Sequence, residues 1–125
     1  MDIRRIAVLG AGRLGRGIAE CAAGKGYDVV LFSQGAGGQD ALLRIERSLH
    51  RRLAKWGITE SEKRLILGRI NYTQDLKELS NADLLIEATL DKMQVKRELL
   101  HTADQFCRPE VVFISASATL RISDL

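Results

Sequence analysis

Hydrophobic positions in this chain come in two rhythms. The first is the short unbroken run: Ile6-Ala7-Val8-Leu9, Val29-Val30-Leu31-Phe32, Leu84-Leu85-Ile86 and Val111-Val112-Phe113-Ile114. Runs without polar alternation read as parallel strands covered on both faces. They predict strands at Ile6–Leu9, Asp28–Phe32, Leu84–Ala88 and Val111–Ser115, with a shorter one at Ile70–Thr73. The second rhythm is helical. Leu42, Ile45, Leu49, Leu53 and Trp56 are spaced 3, 4, 4 and 3, one apolar stripe. It predicts a helix capped by Asp40 and stopped by Gly57. Thr59-Glu60-Ser61-Glu62 fits a capping box and starts a helix to about Leu67, with Gly68 as its end. A small-residue helix from about Leu14 to Ala23 precedes them. Gly24 and Gly26 end it, and Lys25 suits its negative C-terminal end. Asp75–Leu79 reads as a helical turn. Asp91 is placed to cap a helix over Lys92–Gln105, and Pro109 marks the break before the fifth strand. Ile122 and Leu125 begin what reads as another helix.

The turn between the first strand and first helix is Gly10-Ala11-Gly12-Arg13-Leu14-Gly15. Strand, glycine turn and helix, followed by a second strand within about 30 residues, form a βαβ unit. In that context G-x-G-x-x-G becomes a specific signal for a dinucleotide. Gly10 allows the sharp turn, Gly12 lets a pyrophosphate approach the backbone, and Gly15 lets the helix pack close to the sheet. The phosphates then face free amides at the positive end of the helix. The fold class expected is α/β: a Rossmann-type doubly wound parallel sheet with a two-helix insertion between the second and third strands. Residues 1–125 form one dinucleotide-binding domain, and a C-terminal substrate and dimerisation domain is expected outside this chain.

At the end of the second strand such folds place an acidic residue that binds the adenosine ribose and repels a 2′-phosphate. Here that position is Ser33, 23 residues after Gly10. A hydroxyl can still hydrogen-bond a ribose, without charge assistance. No Arg or Lys lies between Ser33 and Gln39 to grip a 2′-phosphate. The nearest candidate is Arg13. The balance favours NAD, with NADP as the alternative.

Arg44, Arg47, Arg51 and Lys55 lie opposite the apolar stripe of their helix. This is either an ordinary solvated face or a surface that attracts a polyanionic substrate such as a coenzyme A thioester. The net charge of +3, from 19 basic and 16 acidic residues, is too small to indicate nucleic acid. No apolar run reaches the roughly 18 residues of a membrane span. Met1-Asp2-Ile3 leads almost directly into the first strand, so no signal peptide is expected, and a cytoplasmic setting follows. Cys21 and Cys107 have no metal-site or disulfide spacing. Cys21 is expected to be a packed thiol, and no metal is expected.

Taken together these blocks resemble the N-terminal NAD-binding domain of the 3-hydroxyacyl-CoA dehydrogenase family, over essentially all 125 residues. The resemblance rests on residues 6–19, on the two-helix insertion with Thr59-Glu60, and on Thr73-Gln74-Asp75-Leu76. It also rests on Ala82–Ala88, Val95-Lys96-Arg97-Glu98-Leu99 and Ile122-Ser123-Asp124-Leu125. It implies interconversion of a 3-hydroxyacyl-CoA and its 3-oxoacyl-CoA, with hydride exchanged at C4 of the nicotinamide. It implies cofactor contacts from Gly10, Ala11, Gly12, Arg13, Leu14, Gly15, Ser33, Ala88, Asp91, Lys96 and Ser117. It raises the substrate role of Arg44, Arg47 and Arg51, because the family's insertion lies near the CoA moiety. It implies a homodimer for the full-length protein.

The chain also departs from the family. Asp91 replaces a glutamate and is one methylene shorter. After the fifth strand the family carries Ser-Asn-Thr-Ser-Ser, where this chain has Ser115-Ala116-Ser117-Ala118-Thr119. Alanine at 116 and 118 supplies neither the amide nor the hydroxyl. The family's catalytic histidine and its glutamate partner belong beyond residue 125, and neither His50 nor His101 matches that histidine. No catalytic residue is therefore assigned. The alternatives are a non-catalytic nucleotide-binding module and a dehydrogenase of a non-CoA 3-hydroxy acid.

Overall fold

The computed structural model describes residues 2–34, 38, 40–88, 97–98, 101, 105, 107 and 111–115. Five strands form one parallel sheet: β1 (Arg5–Leu9), β2 (Asp28–Phe32), β3 (Ile70–Thr73), β4 (Leu84–Glu87) and β5 (Val112–Ser115). Their order is β3-β2-β1-β4-β5. The chain starts in the middle and winds outward first to one edge, then to the other. The ladder is in register from Ile6, opposite Val29 and Leu84, to Leu9, opposite Phe32 and Glu87. At the start of the sheet the Asp83 carboxylate accepts the amides of Arg4 and Arg5, at 2.9 and 3.0 Å. This pins β1 to the segment entering β4.

Side chains of β1 alternate between two cores, as a period of two requires. Ile6 and Val8 join Val29, Leu31 and Ile70 beneath three helices. These are α1 (Arg13–Gly24), α2 (Ala41–Trp56) and α3 (Glu60–Gly68). Ala7 and Leu9 face the other way, onto Phe32, Leu79, Ala82 and Leu85, under the 3₁₀ turn Leu76–Leu79. On α1 the buried positions are Gly15, Ala19 and Ala23, spaced by four. Small residues there let Ile45 and Leu49 of α2 and Ile66 of α3 reach the same core.

Polar contacts complete the helix packing. Ser48 and Arg52 of α2 donate to the two oxygens of Glu20 on α1, each at 3.0 Å. Arg69 donates to the Ala23 carbonyl at 2.8 Å, adding a second donor to an acceptor that the Gly26 amide already meets at 3.1 Å. Gly26 and Gly57 take the left-handed conformation after α1 and α2. At α3 the Thr59 hydroxyl accepts the Glu62 amide at 3.1 Å, the cap read from the sequence.

The doubly wound sheet and the two-helix insertion are as the sequence suggests, with element ends within one or two residues. Three local readings change. Asp40 stands at the start of α2 but caps nothing: its carboxylate accepts Arg44 Nε at 2.8 Å instead. Leu42 is 37% exposed, and Ala41 takes its place on the buried row with Ile45 and Leu49. The Glu20 clamp turns α2 so that its polar flank meets α1. Cys21 is exposed, because it falls off the 15–19–23 row of α1. The helix expected over Lys92–Gln105 lies largely outside the described residues. Those that are described, residues 97, 98, 101 and 105, are helical.

A Cβ built on Gly15 would overlap the Gly10 carbonyl oxygen and fall 2.8 Å from its carbon, whereas one on Gly17 meets nothing within 4 Å. Gly15→Ala is therefore expected to destabilise the protein by about 3 kcal/mol. Gly17→Ala, inside a helix with open space, is expected to stabilise it by about 0.5–1 kcal/mol. Urea unfolding of the two variants measures both.

Candidate functional site

The site is assembled where β1, β2 and β4 end. Gly10 donates its amide to the Phe32 carbonyl at 2.8 Å, and Ala88 donates to the Leu9 carbonyl at 2.8 Å. These two bonds hold the three strand ends at one level. Gly10 has φ +110°, which a side chain would resist. Gly15 must be glycine because its Cα lies against the Gly10 carbonyl. Gly12 differs from both. It has ordinary extended dihedrals and is exposed, and an added Cβ would meet no protein atom. Among the described residues no side-chain or backbone contact demands glycine there. A ligand lying against the backbone would.

Gly12 begins α1 without a side-chain cap, and no acidic residue occupies the first turn. The first-turn amides and the positive end of the helix dipole thus have no carboxylate near them in sequence. Arg16 adds charge: its Nη1 donates to the Ala11 carbonyl at 3.0 Å, bracing the turn. Arg13 and Leu14 are exposed beside it. The cradle fits the pyrophosphate of a dinucleotide in shape, donors and sign of charge.

A cavity of about 500 Å³ adjoins the turn. Arg13, Arg16, Gly17 and Glu20 line it from α1, and Arg44, Arg47, Ser48 and Arg51 from α2. The three arginines marked in the sequence as one face of α2 are therefore gathered with two more from α1. Arg16, Glu20 and Ser48 were not singled out from sequence. The available signal was the i, i+3 pair Arg13 and Arg16 on the side of α1 that meets α2. Two carboxylates temper the charge. Glu20 is bound to Arg52 and Ser48, and Asp40 to Arg44. The Arg44 guanidinium holds the Asp40 carboxyl below its usual value.

Ser33 follows β2 and is 8% exposed. Its hydroxyl is hydrogen-bonded to the Tyr72 hydroxyl of β3, and its amide donates to the Thr73 carbonyl at 3.2 Å. Ala88 is buried at the end of β4. Beside it Glu87, read from sequence only as a strand residue, places a carboxyl group, 1% exposed, at this same end of the sheet. Asp91, Lys96, Ala116, Ser117 and Ala118 lie outside the described residues. His50 and His101 are both exposed. Among the described residues no helix is long and apolar enough to cross a membrane.

Comparison with known proteins gives a consistent result. The family model described as 3-hydroxyacyl-CoA dehydrogenase, NAD binding domain, matches residues 5–125. A probable 3-hydroxybutyryl-CoA dehydrogenase of Bacillus subtilis is 35% identical over 126 residues, covering 100% of this chain and 44% of the relative. The crystal structure of (S)-3-hydroxybutyryl-CoA dehydrogenase from Ralstonia eutropha superposes with a TM-score of 0.94 at 29% identity, over 99% of this chain and 44% of that one. A diketoreductase acting on dicarbonyl compounds superposes with a TM-score of 0.84 at 29% identity, over 100% and 45%. The chain thus spans less than half the length of these proteins.

Gly12→Ala, at the N-cap of α1, is expected to lower stability by no more than about 1 kcal/mol and to weaken dinucleotide binding by about tenfold, roughly 1.4 kcal/mol. Thermal melting and a calorimetric titration with NADH check the two halves.

Proposed function

This chain belongs to the 3-hydroxyacyl-CoA dehydrogenase family, as its NAD-binding domain, and we propose that it serves a longer enzyme that interconverts 3-hydroxyacyl-CoA and 3-oxoacyl-CoA. The observation that carries this is the continuity of two anion-receiving surfaces: the uncapped glycine turn and the arginine-lined cavity beside it. A dinucleotide and a CoA thioester are both polyanions, and these surfaces suit one each. NAD, when bound, exchanges a hydride at C4 of its nicotinamide. Gly10, Ala11, Gly12, Arg13, Leu14 and Gly15 hold its pyrophosphate. Ser33 lies at the adenosine ribose, and Ala88, Asp91, Lys96 and Ser117 serve the nicotinamide side. Arg44, Arg47 and Arg51 attract the phosphates of the CoA nucleotide. The general base belongs to the part of the enzyme beyond residue 125, which also supplies the homodimer contact. Cys21 and Cys107 are thiols rather than half-cystines, which suits a reducing cytoplasmic setting.

A second reading has specific support. Ala116 and Ala118 stand where the family places an amide and a hydroxyl, and the diketoreductase neighbour acts on dicarbonyl compounds. The enzyme would then take a 3-hydroxy acid or dicarbonyl without CoA, and the arginine cavity would be a solvated face.

Steady-state kinetics of the full-length enzyme separate the two readings. With NADH and a 3-oxoacyl-CoA, replacing Arg44, Arg47 and Arg51 by Glu is expected to raise KM by at least about tenfold, an effect that fades with salt. The pantetheine thioester, which lacks the nucleotide, should show no such change. Asp40→Asn releases Arg44 and should lower KM for the CoA substrate by about twofold. A flat response of the CoA substrate favours the second reading.

A further inference from the structure

The residue that replaces the family's ribose-binding acid does not stand alone. Ser33 and Tyr72 come from neighbouring strands whose last residues, Phe32 and Thr73, are in register. Their hydroxyls are hydrogen-bonded to each other. Gly38 packs against them. A Cβ at Gly38 would fall 2.7 Å from Ser33 Cβ and 2.9 Å from the Tyr72 hydroxyl. An aspartate at 33, which adds a carbon and an oxygen, would compete for the space that Tyr72 and Gly38 fill. The loss of the acid and the presence of Tyr72 are thus parts of one arrangement.

We infer that Tyr72 is a cofactor-specificity residue, which with Ser33 forms a neutral hydroxyl pair that takes the place of the missing carboxylate at the adenosine ribose. This rests on the NAD-binding assignment of the glycine turn. The chemistry follows from donor and acceptor counts. Each hydroxyl has one proton and two lone pairs. When one hydroxyl donates to the other, the acceptor keeps its own proton and a lone pair. A ribose hydroxyl can donate to that lone pair or accept that proton. A 2′-phosphate has no such proton to give and needs a cation. Ser33 to Gln39 contains no Arg or Lys, Arg69 is engaged with Ala23 at the opposite end of β3, and Arg13, the nearest candidate in the sequence, stands on the first turn of α1 at the pyrophosphate cradle. Selection for NAD over NADP is therefore made by hydrogen bonding and lack of cationic support, not by charge repulsion. Tyr72 also positions Ser33, so the pair should act as a unit.

The test is a set of calorimetric titrations of the purified full-length protein with NADH and NADPH, using wild type, Tyr72→Phe, Ser33→Ala and the double variant. Far-UV circular dichroism checks that each is folded, and Ser33→Ala stands in if Tyr72→Phe is not. Wild type is expected to prefer NADH. Either single variant should weaken NADH binding by about threefold to tenfold while leaving NADPH unchanged. The double variant should lose no more than a single one. The inference is overturned if wild type binds NADPH as tightly as NADH. It is equally overturned if the variants weaken both cofactors in parallel, as a purely structural role would, or change neither. Wild-type protein that binds neither dinucleotide overturns the cofactor assignment, and this inference with it.

Discussion

The whole arrangement depends on how closely α1 approaches the carbonyl of Gly10. Gly15 sits against that carbonyl with no room for a methyl group, and Gly10 reaches back to β2 through its own amide. Two glycines five residues apart therefore set the distance between helix and sheet and the direction of the helix start. The dipole of α1 aims along that direction, so its positive end arrives where the strands finish. The same closeness requires small residues further along α1. Ala19 and Ala23 supply them, and α2 and α3 pack into the space. A helix set further from the sheet would lose the core beneath α2 as well as the cradle.

Within that constraint the glycines divide between fold and ligand. Gly10 and Gly15 are explained by protein atoms alone, through a left-handed φ and a backbone contact. No contact with the described residues explains Gly12, and its exposed, open position marks the surface on which a pyrophosphate can lie. The uncapped start of α1 reinforces this. Protein helices commonly recruit Ser, Thr, Asp or Asn to satisfy their first amides, as Thr59 does for α3. At α1 that role is left to whatever binds.

The sheet, its strand positions and the glycine turn were legible because each rests on local pattern: unbroken apolar runs and residue types that few backbones tolerate. The misreadings share another cause. Asp40 reads as a cap because aspartate commonly caps the helix that follows it, but a guanidinium four residues away competes for the same oxygen. Leu42 belongs to the apolar stripe by periodicity, yet is exposed. Periodicity finds the centre of a stripe, not its rotation about the helix axis, and the bonds from Ser48 and Arg52 to Glu20 across to α1 select a different row. The arginine cavity was half legible. Its α2 wall is a spacing pattern, but its α1 wall depends on which helices are neighbours, and no single segment encodes that.

Charge is distributed unevenly across the two ends of the cofactor cradle, and that unevenness bears on how the site discriminates. Around the glycine turn and along α2, exposed guanidinium groups dominate. They attract any polyanion over a distance set by salt, with little regard to its identity. At the end of β2 the family's negative charge is gone and a neutral hydroxyl pair occupies its place. On the inferred role of this pair, recognition there acts only at contact, through hydrogen-bond geometry. On that reading, capture and selection are carried by different interactions at different places. The long-range part can draw in NAD, NADP and CoA esters alike, since all are polyphosphates. The choice among them falls to short-range groups, where a buried polar atom left unpaired costs more than a formed hydrogen bond contributes.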